Sequence, residues 1–117
     1  MKLHVSDGAL VLELAGELDI STTPAILDLL TGALAESAAK TVVFDLRDVT
    51  FMDSSAIKCL VYAQNRLRVR DGNVVVCNAR PHVAKVIRIL GLDQEIEVHD
   101  VTAPQPLALM TESLPAS

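Results

Sequence analysis

Residues 42–60 read VVFDLRDVTFMDSSAIKCL and contain two patterns that together predict the fold class. Residues 42–46 form a short apolar run, which is typical of a strand buried on both faces of a sheet. After a polar link at 47–50, small and aliphatic residues recur at positions 56, 60, 63 and 67, the spacing of one helix face. We therefore expect a buried strand, a short loop and an amphipathic helix in succession.

The segments before this unit predict a hairpin and a first helix. Residues 2–6 and 9–15 alternate in the manner of strands, and Asp7-Gly8 between them is a common hairpin turn. Residues 16–19 follow as a predicted loop. The next segment predicts a helix that ends at about residue 38. The N-cap is Thr23, the first helical position is Pro24, and the apolar face is formed by residues 26, 29, 30, 33 and 34.

The segments after the unit continue the alternation of strand and helix. Because helices that connect consecutive strands imply parallel pairing, we expect one α/β domain over residues 1–117 with a mixed sheet of about five strands and about four helices. The predicted elements are a turn at 71–73, a strand at 74–77, a helix that begins near Pro81 and is closed by Gly91, a strand at 95–98 and a short helix at about 104–113.

Composition and charge argue against nucleic acid and membranes as partners. Aromatic residues make up only 3% of the 117 residues, whereas surfaces for single-stranded nucleic acid need several of them. Residues 1–90 contain ten acidic and ten basic residues, and residues 91–117 contain five acidic residues and no Lys or Arg. The net charge of −5 is unfavourable for phosphate backbones and for anionic lipid surfaces.

We expect the protein to be located in the cytoplasm. No apolar run reaches the roughly 18 residues that a membrane-spanning helix needs, and the polar start of the chain does not resemble a signal peptide. Cys59 and Cys77 lie far apart without a pairing motif, which indicates buried, reduced thiols. We expect no direct insertion into a membrane.

One segment, Asp53-Ser54-Ser55-Ala56, has the residues and the setting of a functional site. It lies where the loop after a buried strand becomes a helix, and loops at the carboxyl ends of strands form the usual functional edge of an α/β sheet. Ser54 is the predicted N-cap of this helix, because its hydroxyl can accept a hydrogen bond from a backbone N–H one turn later. Asp19, which follows the second strand, is expected at the same edge.

Catalysis and metal binding are disfavoured at this segment. A strand–turn–helix with a serine resembles the nucleophile elbow of hydrolases, but that elbow needs small flanking residues that this chain lacks. The three histidines, His4, His82 and His99, have no spacing that marks a general base, and the scattered His and Cys residues lack metal-ligand spacing. We therefore expect neither an enzyme nor a cofactor, although a small enzyme with Ser54 as nucleophile remains a competing hypothesis.

A modified serine is the third interpretation. Phosphorylation would add about 1.5–2 negative charges at neutral pH, which the N–H groups of a helix start would tolerate. Asp53 and Asp19 would oppose the added charge. The fold should survive the modification while the local surface becomes more negative, so that a protein docked there would be repelled. This chemistry describes a binding switch without catalytic machinery in the chain.

Four segments in their order and spacing resemble the STAS domain in its bacterial anti-sigma factor antagonist form, over roughly residues 3–113. The four segments are Gly16-Glu17-Leu18-Asp19, residues 42–46, residues 49–55, and Asn78 to Leu92, which ends in Gly91-Leu92. The resemblance implies a protein that, when unphosphorylated, binds an anti-sigma factor that is itself a serine kinase and thereby frees a sigma factor. The kinase would use ATP, and a phosphatase would reverse the modification.

The resemblance also implies which residues act. The phosphorylated residue would be Ser54, with Ser55 as second choice, and Asp19 and Asp53 match the acidic residues that flank the site. The partner surface would further include Ser21, Thr22, Thr23, the helix start with Ala56, Ile57 and Lys58, and the turn at Asn78.

The chain departs from the family pattern at the two positions where glycines usually follow the serines, which here are Ala56 and Lys58. Lys58 places a long cation one turn into the helix, so it could shield a phosphate on Ser54 or narrow the choice of kinase. An alternative function within the same fold is an accessory subunit of a transporter or of a signalling assembly. The partner that co-purifies with the protein would distinguish the two, since a transporter ATPase is expected in one case and a soluble kinase in the other.

Overall fold

The computed structural model describes residues 1–100, which form an α/β domain with a five-stranded mixed sheet. The predicted fold class is confirmed, and three α-helices and one 3-10 helix are present in these residues. The predicted helix at 104–113 and the predicted end of the core near residue 113 lie outside them. The elements are β1 (Lys2–Ser6), β2 (Ala9–Leu18), α1 (Thr23–Glu36), β3 (Thr41–Met52), α2 (Ser54–Arg68), β4 (Asn73–Ala79), α3 (Pro81–Ile89), the 3-10 helix Leu92–Gln94 and β5 (Glu97–Asp100).

The sheet has its strands in chain order, β1-β2-β3-β4-β5, with only β1 antiparallel to its neighbour. Because each parallel crossover moves in the same direction along the sheet, α1, α2 and α3 pack on one face. Their apolar residues form a single core with alternate residues of the strands, among them Leu12, Phe44 and Val76. A smaller cluster on the other face contains Ala9, Val11, Val43, Val75 and Cys77.

The core is aliphatic, as the composition predicts, and Phe44 is its largest fully buried side chain. Burial of each Leu, Ile or Val in such a core stabilises the fold by about 1.5–3 kcal/mol before the cost of chain entropy. Within residues 1–100, no helix combines the length and the apolar character that a bilayer span requires.

The boundaries of β2 and β3 differ from the prediction. The predicted loop at 16–19 lies mostly inside β2, which ends at Leu18, and the predicted link at 47–50 lies inside β3, which ends at Met52. The regular alternation of apolar and polar residues is interrupted near the end of β2, because the register between β2 and β3 shifts twice. The shifts lie on either side of Ala15-Gly16, where Gly16 has a φ of 78°. The two strands are thus longer than their apolar runs.

Two further boundaries shift by one or two residues. The N-cap of α1 is Thr22 rather than Thr23, so that Pro24 lies at the second helical position. The last described strand begins at Glu97 because Glu95 and Ile96 still belong to the turn that follows the 3-10 helix. Gly91 does close α3 in a left-handed conformation, with φ of 75°, as the sequence predicts.

The end of α1 and the start of β4 are tied together by two contacts. The guanidinium of Arg70 donates hydrogen bonds to the carbonyl oxygen of Leu34, in the last turn of α1, and to those of Ser37 and Ala39, which follow the helix. Nearby, the N–H of Asn73 donates to the carbonyl oxygen of Lys40 at 2.8 Å, and Gly72 lies directly against that carbonyl.

Replacement of Gly72 by alanine is expected to destabilise the fold. A Cβ at this position would lie 2.0 Å from the carbonyl oxygen of Lys40, so the backbone has to move, at a cost of about 1–3 kcal/mol or more in the free energy of unfolding. Urea denaturation measures the change. The matched control is Gly32→Ala, because Gly32 lies in α1 with nothing within 4 Å of its Cβ position, and this change should stabilise the protein by about 0.5–1 kcal/mol. Equal effects of the two changes would contradict the packing argument.

Candidate functional site

The ends of β2 and β3 lie side by side at one edge of the sheet. Leu18, the last residue of β2, pairs with Met52, the last residue of β3, and the N–H of Asp53 donates to the carbonyl oxygen of Leu18 at 3.1 Å. An aspartate therefore follows each of two adjacent parallel strands, Asp19 after β2 and Asp53 after β3. This shared edge is where the sequence placed the two residues.

Asp19 organises the loop between β2 and α1. One carboxylate oxygen, Oδ1, accepts hydrogen bonds from the N–H of Ser21 at 2.9 Å, from its hydroxyl at 2.6 Å and from the N–H of Thr22 at 3.2 Å. The hydrogen bond from the Ser21 hydroxyl is the largest cause of a pKa for Asp19 below its ordinary value of 3.8, because these donors favour the charged carboxylate. The loop is thus held by the ionised form of Asp19.

Asp53 makes the same arrangement after β3. Its Oδ1 accepts from the N–H of Ser55 at 2.9 Å and from the Ser55 hydroxyl at 2.5 Å. Asp53, rather than Ser54, is therefore the N-cap of α2, and Ser54 is the first residue of the helix. The prediction was wrong by one residue because a carboxylate two residues before Ser55 reaches its N–H group from an extended backbone.

The two loops touch through a pair of hydroxyl groups. Thr23 is buried, and its hydroxyl donates to the carbonyl oxygen of Asp19 at 2.7 Å. The hydroxyl oxygen of Thr23 lies 3.4 Å from the hydroxyl oxygen of Ser55, whose own proton is used in the bond to Asp53. Thr23 and Ser55 thus lie beneath the surface and connect the start of α1 to the start of α2.

The middle residue of each Asp-x-Ser unit points away from the fold. Ser54 is exposed, and its hydroxyl makes no hydrogen bond to any other residue in the range 1–100. Ile20 holds the equivalent place in the first loop and is 80% exposed. Phe51, at the end of β3, is 47% exposed, and Lys58 is exposed one helical turn after Ser54. Exposed apolar and exposed polar side chains therefore both occur where β2 and β3 end.

Four residues of the predicted partner surface are buried: Thr23, described above, Ala56, Ile57 and Asn78. The side chains of Ala56 and Ile57 are 2% and 8% exposed and pack in the core beneath the loops. Asn78 is buried as well, and its amide donates to Oδ1 of Asp45 at 3.2 Å. Since β4 pairs with β3 no further than Asp45, the turn at Asn78 lies well before the strand end that carries Ser54.

Two residues near the site were missed by sequence reasoning. Arg80 Nε donates to the carbonyl oxygen of Arg47 at 3.1 Å, and His82 Nε2 lies 2.6 Å from the carbonyl oxygen of Thr50. No local pattern marks these contacts, because the two elements that meet are separated by the whole of α2 and β4.

The chemistry available at this edge is that of an exposed hydroxyl at a helix start. The described histidines contact other groups: His4 and His99 lie near Glu13 and Glu97, and His82 contacts the backbone of β3. Burial raises the pKa of the Cys59 thiol to about 11 and that of the Cys77 thiol to about 12, so both stay protonated at neutral pH. Residues 1–100 contain no cluster of three His, Cys, Asp or Glu side chains that could hold a metal ion.

Comparison with known proteins identifies the family. The family model for the STAS domain matches residues 1–103, and the chain belongs to this family. An anti-sigma F factor antagonist of Paenibacillus polymyxa is 26% identical over 93 residues, which cover 80% of both chains. The solved structure of an anti-sigma factor antagonist from Mycobacterium paratuberculosis has a TM-score of 0.79 at 25% identity and covers 95% of this chain and 90% of that one.

A second solved structure is similar in fold. SpoIIAA, an anti-sigma factor antagonist and cell fate determinant of Bacillus, has been solved in an unphosphorylated and in a phosphorylated form. The unphosphorylated form has a TM-score of 0.74 at 23% identity and covers 97% of this chain and 98% of its own. The phosphorylated form has a TM-score of 0.71 at 24% identity and covers 95% and 97%. This likeness shows a common fold.

The contribution of Asp19 to stability should depend on pH. Because its pKa in the folded state is below the ordinary value of 3.8, this contribution is fully present above 3.8 and is lost as the pH falls through the folded value. We expect Asp19→Asn to lower the free energy of unfolding near neutral pH and to lower it less at acidic pH. Urea denaturation of both proteins at several pH values measures the difference.

The control for this measurement is Asp28→Asn. Asp28 is an exposed residue of α1 whose carboxylate makes no hydrogen bond within residues 1–100. A pH dependence of Asp28→Asn as large as that of Asp19→Asn would show that general acid destabilisation, and not the loop, causes the effect.

Proposed function

We propose that the chain is an anti-sigma factor antagonist whose binding to an anti-sigma factor is switched off by phosphorylation of Ser54. The observation that carries the proposal is the difference between the two serines, since the Ser54 hydroxyl is exposed and unbonded within residues 1–100 whereas the Ser55 hydroxyl donates to Asp53. Relatives in the family are named as anti-sigma factor antagonists, and SpoIIAA exists in a phosphorylated form.

A kinase needs a hydroxyl that can enter its active site and give up its proton. The Ser55 hydroxyl donates its proton to the Asp53 carboxylate, with 2.5 Å between the two oxygen atoms. The Ser55 side chain is also half-buried beside Thr23. Modification of Ser55 would require this N-cap arrangement to break, at a cost of about 0.5–2 kcal/mol for a lost cap. Ser54 requires no such rearrangement.

A phosphate on Ser54 would change the charge of the surface without breaking the fold. Ser54 is the first residue of α2, where the positive end of the helix dipole stabilises negative charge. The phosphate adds about 1.5–2 negative charges beside Asp53 and near the Asp19 loop. A partner that docks on this edge would have to bury that charge, so the phosphorylated form should bind weakly.

The unphosphorylated surface combines apolar and polar contacts around Ser54. The exposed side chains at the ends of β2 and β3 and the start of α2 include Ile20, Ser21, Thr22, Phe51, Ser54 and Lys58. Thr23, Ser55, Ala56 and Ile57 lie beneath them and fix the loops. The partner would be an anti-sigma factor with serine kinase activity that uses ATP, a phosphatase would restore the hydroxyl, and the exchange would take place in the cytoplasm.

The first experiment is the intact mass of the protein after incubation with ATP and soluble extract of the host. We expect the mass of one phosphate on the wild type and on Ser55→Ala, but not on Ser54→Ala, because of these two serines Ser54 is the one whose hydroxyl makes no hydrogen bond within residues 1–100. Ser55→Ala is the matched control, since it removes the neighbouring hydroxyl and leaves Ser54 in place.

Two results would contradict the proposal. A phosphate that persists in Ser54→Ala would place the modification elsewhere. A transporter ATPase captured by the unmodified protein in place of a kinase would favour the alternative role of an accessory subunit.

Ile20 should contribute apolar contact to the partner. Ile20→Ser is expected to weaken binding of the captured anti-sigma factor by about tenfold, because burial of an isoleucine side chain is worth about 1.5–3 kcal/mol and a partly buried one somewhat less. Isothermal titration calorimetry measures the affinity. Val69→Ser is the matched control, since Val69 is 88% exposed but follows the far end of α2 from Ser54. Equal losses for the two variants would exclude a specific role of Ile20.

A further inference from the structure

The last part of β3, which leads to Ser54, lacks a strand neighbour on one side. β2 accompanies β3 to its end, where Leu18 pairs with Met52. On the other side, β4 pairs with β3 only from Thr41 to Asp45. Beyond Asp45, the backbone N–H and C=O groups on the β4 side of β3 have no strand partner for hydrogen bonds. Such an unpaired edge is prone to local opening.

The start of α3 occupies this missing edge. β4 ends at Ala79, directly after Asn78, which has a left-handed backbone with φ of 57°. Arg80 Nε then donates to the carbonyl oxygen of Arg47 at 3.1 Å, and His82 Nε2 lies 2.6 Å from the carbonyl oxygen of Thr50. Two side chains thereby replace the hydrogen bonds that a strand would supply.

The contact of His82 has a defined donor. A carbonyl oxygen only accepts hydrogen bonds, so the ring nitrogen Nε2 must carry the proton. Both the neutral Nε2–H tautomer and the protonated ring satisfy this requirement, and the contact therefore does not rely on the charge of the histidine. A side-chain amide that donates from a similar position should be able to replace it.

We infer that Arg80 and His82 are positioning residues that hold the end of β3 and thereby set the place of Ser54. Thr50, which His82 contacts, lies three residues before Asp53, the N-cap of α2. If this end of β3 opens, the N–H of Asp53 loses its alignment with Leu18, and the Asp53-Ser54-Ser55 loop moves with it. The functional part of this inference rests on the proposed phosphorylation of Ser54.

The exposure of Arg80 and His82 indicates that they stabilise the end of β3 and not the fold as a whole. His82 is exposed and Arg80 is half-buried, and neither belongs to the hydrophobic core. Their removal leaves the buried contacts of β3, such as Phe44, Leu46 and Met52, unchanged. We therefore expect variants of His82 to keep the fold and to alter mainly the stability of residues 47–53.

Amide hydrogen exchange of the protein alone tests the positioning role. His82→Phe keeps a planar ring but removes the donor, and exchange at residues 47–53 should become about two- to tenfold faster, as expected for the loss of one hydrogen bond. His82→Gln retains a donor and should restore slow exchange. His4→Phe is the matched control, because His4 lies on β1 beside Glu13 and does not contact β3. Unchanged exchange in His82→Phe overturns the inference.

The second measurement is the initial rate of phosphate incorporation at Ser54 in soluble extract with ATP. We expect a several-fold lower rate for His82→Phe and a rate close to that of the wild type for His82→Gln and His4→Phe. Faster exchange with an unchanged rate would overturn the functional part. If the wild type itself takes up no phosphate, the proposed function fails, while the exchange data still decide whether His82 holds β3. Should His82→Phe not fold, Arg80→Met, which removes only the bond to Arg47, takes its place in both measurements.

Discussion

The parallel pairing of β2 and β3 to a common end is the constraint on which the candidate site depends. Leu18 pairs with Met52, and the hydrogen bond from the N–H of Asp53 to the carbonyl oxygen of Leu18 continues the ladder by one step. Both strands consequently end at the same level of the sheet, and the loops that follow them leave it in the same direction. Every polar contact of the site, from the Asp19 carboxylate to the Ser55 hydroxyl, lies within a few residues of this point.

The sequence predicts the number, type and order of the elements in residues 1–100 because their buried faces follow simple periods. It predicts their ends less well. The final residues of β2 include the exposed Ala15, Gly16 and Glu17, and those of β3 include the exposed Arg47, Asp48 and Thr50. These stretches are strands because each pairs with the other, through two irregularities in register, and not because their own residues favour the conformation.

The same distinction between local signals and distant contacts applies to the candidate site. Asp19, Asp53 and Ser54 could be placed from local signals, since each directly follows a strand or begins a helix. The distance of Asn78 from the strand ends depends on how far β4 accompanies β3, which no local pattern records. The contact between His82 and Thr50 joins residues 32 positions apart and arises from the same early end of β4.

The two Asp-x-Ser units separate the residues that hold the loops from the residue exposed between them. In each unit the serine in the third position donates two hydrogen bonds, from its N–H and its hydroxyl, to one carboxylate oxygen of the aspartate. These four side chains hold the loops, and the middle residue of each unit is exposed. In one loop that residue is Ile20, which offers apolar surface, and in the other it is Ser54, which offers a hydroxyl.

This separation has a consequence for the charge at the site. Because the Asp53 carboxylate already accepts two hydrogen bonds from Ser55, its negative charge is partly neutralised before any phosphate arrives. A phosphate on Ser54 would lie at the positive end of the α2 dipole, with the exposed Lys58 one turn along the helix, the spacing at which side chains on a helix surface meet. Under the proposed function, the chain would carry the modification within its native fold, and the cost of the added charge would fall on a protein that docks at this edge.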